Sequence, residues 1–248
     1  MKDRFENQTV ERSSGRTLAY DAGLRAYMIK VYNYMALGLG LTGGIALVTA
    51  TTPAILQAVM PMMWLFILAP LGLVFFLSFR INKISFATAQ TLFWLYAALN
   101  GIAFSVFFLA YTGDSIARVF FITAGTFAAM SLYGYTTQRD LSGMGSFLFM
   151  GLIGIIIASV VNIFLASSML QFLVSVAGVV IFTGLTAYDT QAIKEGYVQG
   201  LDEETTGKKA IFGALQLYLD FINLFIPYDD SHFAGVISKN KTHHFSTA

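Results

Sequence analysis

The sequence predicts an all-α membrane protein, a bundle of seven transmembrane helices, and three observations carry that reading. Charged residues make up 12% of the 248-residue chain, about half the ~25% usual in soluble domains. Hydrophobic residues make up 56%, with a mean hydropathy of +0.66. Seven apolar runs each approach the ~20 residues that a helix needs to cross a bilayer. No strand-like alternation persists, and an open sheet edge facing lipid would leave its backbone groups unsatisfied.

Residues 1–31 form a polar N-terminal arm containing Lys2, Arg4, Arg12, Arg16, Arg25 and Lys30. It has no apolar h-region, so it does not read as a cleavable signal peptide. Its last part, "DAGLRAYMIKVYNYM", fits an amphipathic helix at the membrane surface, with Leu24, Tyr27, Met28 and Val31 on one side. The seven-helix transmembrane domain is expected over residues 32–226. The first run, 32–52, contains "GLGLTGG", a small-residue pattern suited to close helix packing. The second, 62–79, ends at Arg80 in "RINKIS"; the third, 88–111, ends before "TGDS". The fourth, 116–135, leads into "TTQRDLSG", and the fifth, 145–166, carries the packing pattern "GLIGIIIAS". After "ASS" the sixth run covers 169–189, and the long connection "TQAIKEGYVQGLDEETTGKK" separates it from the seventh, 210–226. Residues 227–248 form a polar tail in which Pro227 is expected to stop the helix. The remaining span, ~25 Å long, is then barely adequate. His232, His243 and His244 lie in this tail and read as solvated.

Twelve basic residues fall on the side of the N-terminal arm and three on the other. This places the N-terminus in the cytoplasm and the C-terminus outside. Net charge is +1, so no basic field calls for nucleic acid. The absence of cysteine excludes disulfides, thiolate metal sites and a cysteine nucleophile. No phosphate loop, dinucleotide fingerprint, zinc spacing or serine elbow occurs, so no catalytic residue, cofactor or structural metal site is expected. No internal repeat supports an inverted-repeat transporter. The Phe and Tyr residues are expected chiefly against lipid or in interfacial belts.

Ionisable groups at membrane depth are costly, which makes each one a functional candidate. With the orientation above, Arg80 ends the second run, Asp189 ends the sixth, and Asp220 lies roughly 15 Å into the seventh. All three fall in the cytoplasmic half of the bundle. Arg80 also fits a topology anchor that snorkels, and Asp189 a helix-end charge among headgroups. Asp220 must be protonated, paired or facing water. Two aspartates meeting there would share a proton. Protonated, they bridge two helices; deprotonated, they repel each other and attract a cation, which makes a gate. Asn100 and Asn162 read as hydrogen-bonding groups between helices.

Three pieces, "FTGLTAYDTQAIK" at 182–194, "LYLDFINLF" at 217–225 and the stretch 132–165 around "TTQRDLSGMGSF", resemble the Bax inhibitor-1 family in its bacterial branch. The resemblance covers about residue 20 to 226. It implies a bundle with the C-terminal helix central, a bacterial inner membrane location, and a pH-sensitive calcium leak or slow cation/proton exchange. It also implies that Asp189 and Asp220 form a di-aspartyl sensor with Arg80 nearby. Calcium is implied by the resemblance alone. Because calcium takes six to eight oxygens, waters, carbonyls or Asn223 must complete the shell, and the site is expected to be weak and transient.

Two other functions compete. Presenilin-type intramembrane proteases carry Tyr-Asp in one helix, as in "AYDT", but also Gly-x-Gly-Asp in the next, where this chain has "LYLD". A non-enzymatic modulator of a membrane protease or stress response would use the arm and an exposed "LDEETTGKK" loop.

Overall fold

In the computed structural model, which describes the backbone of residues 2–244 and the side chains of residues 19–226, the chain is helical almost throughout. The helices are α1 Lys2–Thr51, α2 Pro53–Val59, α3 Met63–Arg80, α4 Phe86–Ala110, α5 Gly113–Thr136, α6 Ser142–Leu165, α7 Ser168–Glu195 and α8 Glu203–His244, with a 3-10 turn Met60–Met62 between α2 and α3. Among the described residues, seven segments are long and apolar enough to cross a membrane: Ala19–Thr51 of α1, Pro53–Arg80 (α2 with α3), α4, α5, α6, α7 and Glu203–Ile226 of α8.

Local chemistry sets where the helices begin. Ser85, Thr112 and Ser167 cap α4, α5 and α7, accepting from the backbone N–H of Thr88, Ser115 and Leu170. Asp202 accepts from Thr205 N at 2.6 Å just ahead of α8. At the end of α6, Ala166 takes a left-handed conformation (φ 48°). The side chain of Asn162 holds that turn by accepting from Ser167 N at 3.0 Å.

The last helix is the core. The apolar window of α8 is 67% buried, against 39% for α4 and 6% for α6. It packs on α7, α1, α5 and α4 through fully buried Ile211, Leu215, Leu217, Tyr218 and Leu224. Phe79, Phe147, Ile163 and Phe164 point outward on α3 and α6. Lipid is as apolar as leucine, so burial here brings little hydrophobic gain. Van der Waals fit and interhelical hydrogen bonds hold such bundles. The Tyr218 and Thr42 hydroxyls meet at 2.7 Å. Gly134 of α5 lies against the backbone of Ala187 on α7 so closely that any side chain would collide.

Several sequence expectations need correction. The α1 helix runs through residue 31 without a break, and Leu24, Tyr27, Met28 and Val31 are buried in the bundle core rather than laid on a membrane surface. A stripe of that spacing fits a protein neighbour as well as a bilayer. The long connection shrinks to residues 196–202, because both flanks of it are helical. Backbone helix continues past Pro227 to His244. The proline removes one N–H, the one that would meet the Asn223 carbonyl, and a transmembrane helix tolerates this better than a run of unsatisfied backbone. Three glycines of "GLGLTGG", Gly40, Gly43 and Gly44, have nothing against them; Gly38 alone of that set is packed, under Phe93. Asn100 donates to Tyr96 O at 3.0 Å within its own helix and so does not join two helices, while Asn162 ties the end of α6 to Ser167, the cap of α7. The side chains of His232, His243 and His244 lie outside the described residues.

Candidate functional site: a buried carboxylate pair between the last two helices

Helices α7 and α8 are antiparallel neighbours joined by the short 196–202 connection, and their seam brings Asp189 and Asp220 together. Asp189 is 6% exposed and Asp220 3%. The two carboxyl groups are within hydrogen-bonding reach of each other. Asp189 Oδ1 and Asp220 Oδ2 meet no hydrogen-bond donor elsewhere among the described residues. The one ion pair among the described residues is Lys208–Glu204, at 3.7 Å, so no described cation pairs with either carboxylate. Two negative charges at ~3 Å repel by about 5 kcal/mol even at an effective dielectric of 20. A single proton between them converts two acceptors into one hydrogen bond.

The packing around the pair is tight and otherwise satisfied. Thr186 donates to Phe182 O at 2.8 Å. Thr190 meets Ser131 of α5 at 2.9 Å, and Ser131 in turn meets the Tyr32 hydroxyl of α1. Gln191 clasps the α5–α6 connection, accepting from Leu141 N and donating to Arg139 O, both at 2.8 Å. Lys194 donates to Tyr135 O at 2.8 Å. Sequence reasoning missed these roles for Thr190, Gln191 and Ser131. The signal was the density of polar residues in "TAYDTQ", which one carboxylate does not explain.

Toward the end of the bundle that carries most basic residues lies a cavity of about 560 Å³, with Ser78, Asn82, Lys208, Lys209 and Gln216 in its wall. Gln216 stands one turn before Asp220, and Ile193 one turn after Asp189. Ile193 is buried and packs onto the bare backbone of Gly213, forming an apolar plug between cavity and carboxylates. On the other side of the pair, Phe221 lies between Phe120 and Phe127, with ring centroids 5.6 Å from each. Phe225 meets Phe107 at 6.5 Å. An apolar cavity of about 430 Å³ follows. Both directions out of the site are closed.

Arg80 is not part of the pair. It is the exposed last residue of α3, a helix that packs mainly on α4. Ser78, Ile81 and Asn82 beside it line the polar cavity, so Arg80 stands near the cavity rim with no carboxylate partner among the described residues. Asn223, three residues beyond Asp220, is half-buried and donates to Leu219 O at 2.8 Å. Among the described residues no cluster of three or more His, Cys, Asp or Glu side chains forms a metal site.

A seven-helix membrane bundle with its C-terminal helix at the core, carrying an acidic pair across its last two helices, is the class that fold and site define. A family model described as "Inhibitor of apoptosis-promoting Bax1" matches residues 24–227, and the chain belongs to this Bax inhibitor-1 family. Its relatives include bacterial proteins. The inner membrane protein YbhL of Escherichia coli strain K12 is 48% identical over 210 residues, covering 83% of this chain and 90% of its own. A Rickettsia prowazekii protein is 49% identical over 216 residues, 86% of this chain and 92% of the relative. A Borreliella burgdorferi protein is 50% identical over 204 residues, 81% and 88% respectively.

Proposed function

We propose that this protein is a pH-sensitive leak pathway for cations, calcium among them, in a bacterial inner membrane, with its N-terminus in the cytoplasm and its C-terminus outside. The observation that carries the reading is the buried Asp189–Asp220 pair, which has no cationic partner among the described residues and lies between a polar cavity and an aromatic seal. With a proton between them the carboxyls tie α7 to α8 and the path is shut. Loss of that proton leaves like charges in contact, drives the helices apart and exposes oxygens to a cation. Flux therefore rises as pH rises. The open pair attracts Arg80 from the cavity rim, which returns the site toward neutrality after the ion has passed. Two carboxylates and the Asn223 amide oxygen fall short of a full calcium shell, which suits passage better than retention.

No enzymatic step is assigned. Leu217 and Tyr218, beside Asp220, are fully buried, which leaves a substrate backbone no approach like that of a Gly-x-Gly-Asp site. On the modulator reading the contact surface would be the exposed start of α8, since most of "LDEETTGKK" is helix.

The test is calcium flux into reconstituted vesicles across pH 5 to 8. Wild-type flux is expected to rise with pH. Asp189→Asn and Asp220→Asn each keep a hydrogen-bonding pair but remove the like-charge repulsion, and are expected to flatten the profile. A wild-type pH profile retained by both variants rules the mechanism out.

A further inference from the structure

Between α1 and α5 runs a groove of about 590 Å³, lined on one side from Arg25 to Ala36 and on the other from Phe127 to Tyr135. Its walls are apolar, with Met28, Ile29, Met35, Phe127 and Leu132 prominent. The Tyr32 and Ser131 hydroxyls within it bond each other, and Ser131 also meets Thr190. Those groups are satisfied and call for no polar ligand. From Arg25 to Ala36 the helix covers about 16 Å. That is close to the depth of one leaflet, half of a hydrocarbon core of ~30 Å. At the shallow end stands the Arg25 side chain. It is exposed, and no carboxylate among the described residues pairs with it.

We propose that this groove is a binding site for an anionic phospholipid of the leaflet at the basic end of the bundle, the cytoplasmic leaflet in the orientation proposed above. The Arg25 guanidinium takes the phosphate, for which its planar fork of donors is suited. One acyl chain lies along the channel between α1 and α5, ending near Met35 and Phe127. Basic pockets between transmembrane helices on the cytoplasmic side hold lipid headgroups in this manner. The chain also backs Ser131, and so supports the three-helix contact of Tyr32, Ser131 and Thr190.

The probe is an equimolar mixture of phosphatidylglycerol and phosphatidylcholine in neutral detergent micelles, with lipid retained per protein counted by native mass spectrometry. Wild type is expected to retain phosphatidylglycerol preferentially. Arg25→Gln lowers that retention about fivefold, the weight of one basic residue at an anionic surface, while phosphatidylcholine is unaffected. Lys30→Gln is the control. Lys30 lies five residues further along α1 but over the Phe86 ring, 5.0 Å from its centroid, outside the groove, and its loss changes nothing. Ala128→Trp fills the groove from an exposed position on α5 and displaces lipid of either kind with Arg25 intact. Equal losses for Arg25→Gln and Lys30→Gln overturn the site in favour of general surface charge. So does undiminished retention in Ala128→Trp, or a wild type with no headgroup preference.

Discussion

The contact of Gly134 with Ala187 holds α5 against the helix that carries Asp189, and Gly134→Ala measures what it is worth. A Cβ at residue 134 would lie 2.8 Å from the Ala187 carbonyl carbon and 2.9 Å from its Cα. Carbon atoms rest at about 3.5–4.0 Å, so α5 and α7 must part by about 1 Å. The obstacle is backbone, which no rotamer change relieves. Overpacking of this kind costs about 1–3 kcal/mol, and the rigidity of both surfaces places it at the upper end. Parting also stretches the Ser131–Thr190 bond, now 2.9 Å, one turn away on each helix. At about 2–4 °C per kcal/mol for a chain of this size, the melting temperature in detergent should fall by about 5–10 °C. The control is Gly125→Ala on the same helix, where a Cβ meets nothing within 4 Å; that change should leave stability equal or slightly higher. Scanning fluorimetry of both variants decides. Equal melting temperatures would refute the claim that backbone proximity at residue 134 sets the α5–α7 distance.

Two further outcomes are expected. On the proposed mechanism the wild type is closed at acidic pH, and Ile193→Ala, which removes the side chain over Gly213, should raise calcium leak there several-fold; vesicle flux equal to wild type at pH 5.5 would show that Ile193 does not seal the site. Asp202, outside the spans, accepts from Thr205 N and Thr205 Oγ1, and the backbone bond is the main cause holding its carboxyl below the usual range. A lowered folded value gives stability that is present above the ordinary carboxylate value of about 4 and lost as pH falls through the lowered one, so amide exchange at Thr205 should accelerate below about pH 4 relative to the middle of α8. An exchange rate that tracks mid-helix amides would sink that role for Asp202.

The seven spans and the acidic pair were legible because each follows from one strong rule: apolar length for a span, and the cost of charge at depth for Asp189 and Asp220. What the sequence hid was partnership. Leu24, Tyr27, Met28 and Val31 make the same stripe whether the facing surface is lipid or protein, and only the packing of α1 against α4 and α8 shows that it is protein. The charged stretches "TQAIKE" and "LDEETTGKK" look like loop by polarity, yet they are helix ends, and "DEET" contains the Asp202–Thr205 cap that marks the start. Asn100 differs from interhelical glue only in where its side chain turns, back onto its own helix, while Asn162 reaches forward to Ser167, the cap of α7. Depth and the family resemblance both bring Arg80 toward the pair, but neither fixes azimuth, and in this structure Arg80 is the exposed end of α3, beside residues of the cavity wall.

In lipid a polar side chain has no solvent to fall back on, so buried polar groups either find partners or mark something unfinished. Within the described bundle Thr42, Ser131, Thr186, Thr190 and Gln191 all find partners. Atoms without one occur on Thr123, Asp189 and Asp220. Thr123 brings its own proton, whereas a carboxylate brings none. Among the described residues the Asp189–Asp220 contact is therefore the place where two buried acidic groups meet with no donor from the chain, and a proton or, on the proposed function, a metal cation would complete it. On the function proposed above, those two ligands would compete for the same oxygens and impose opposite geometries on the α7–α8 seam: one proton suits a single short bond, a cation needs the carboxylates spread around it. A seam with two occupants of different size would have two arrangements, and the ratio of proton to cation activity would select between them.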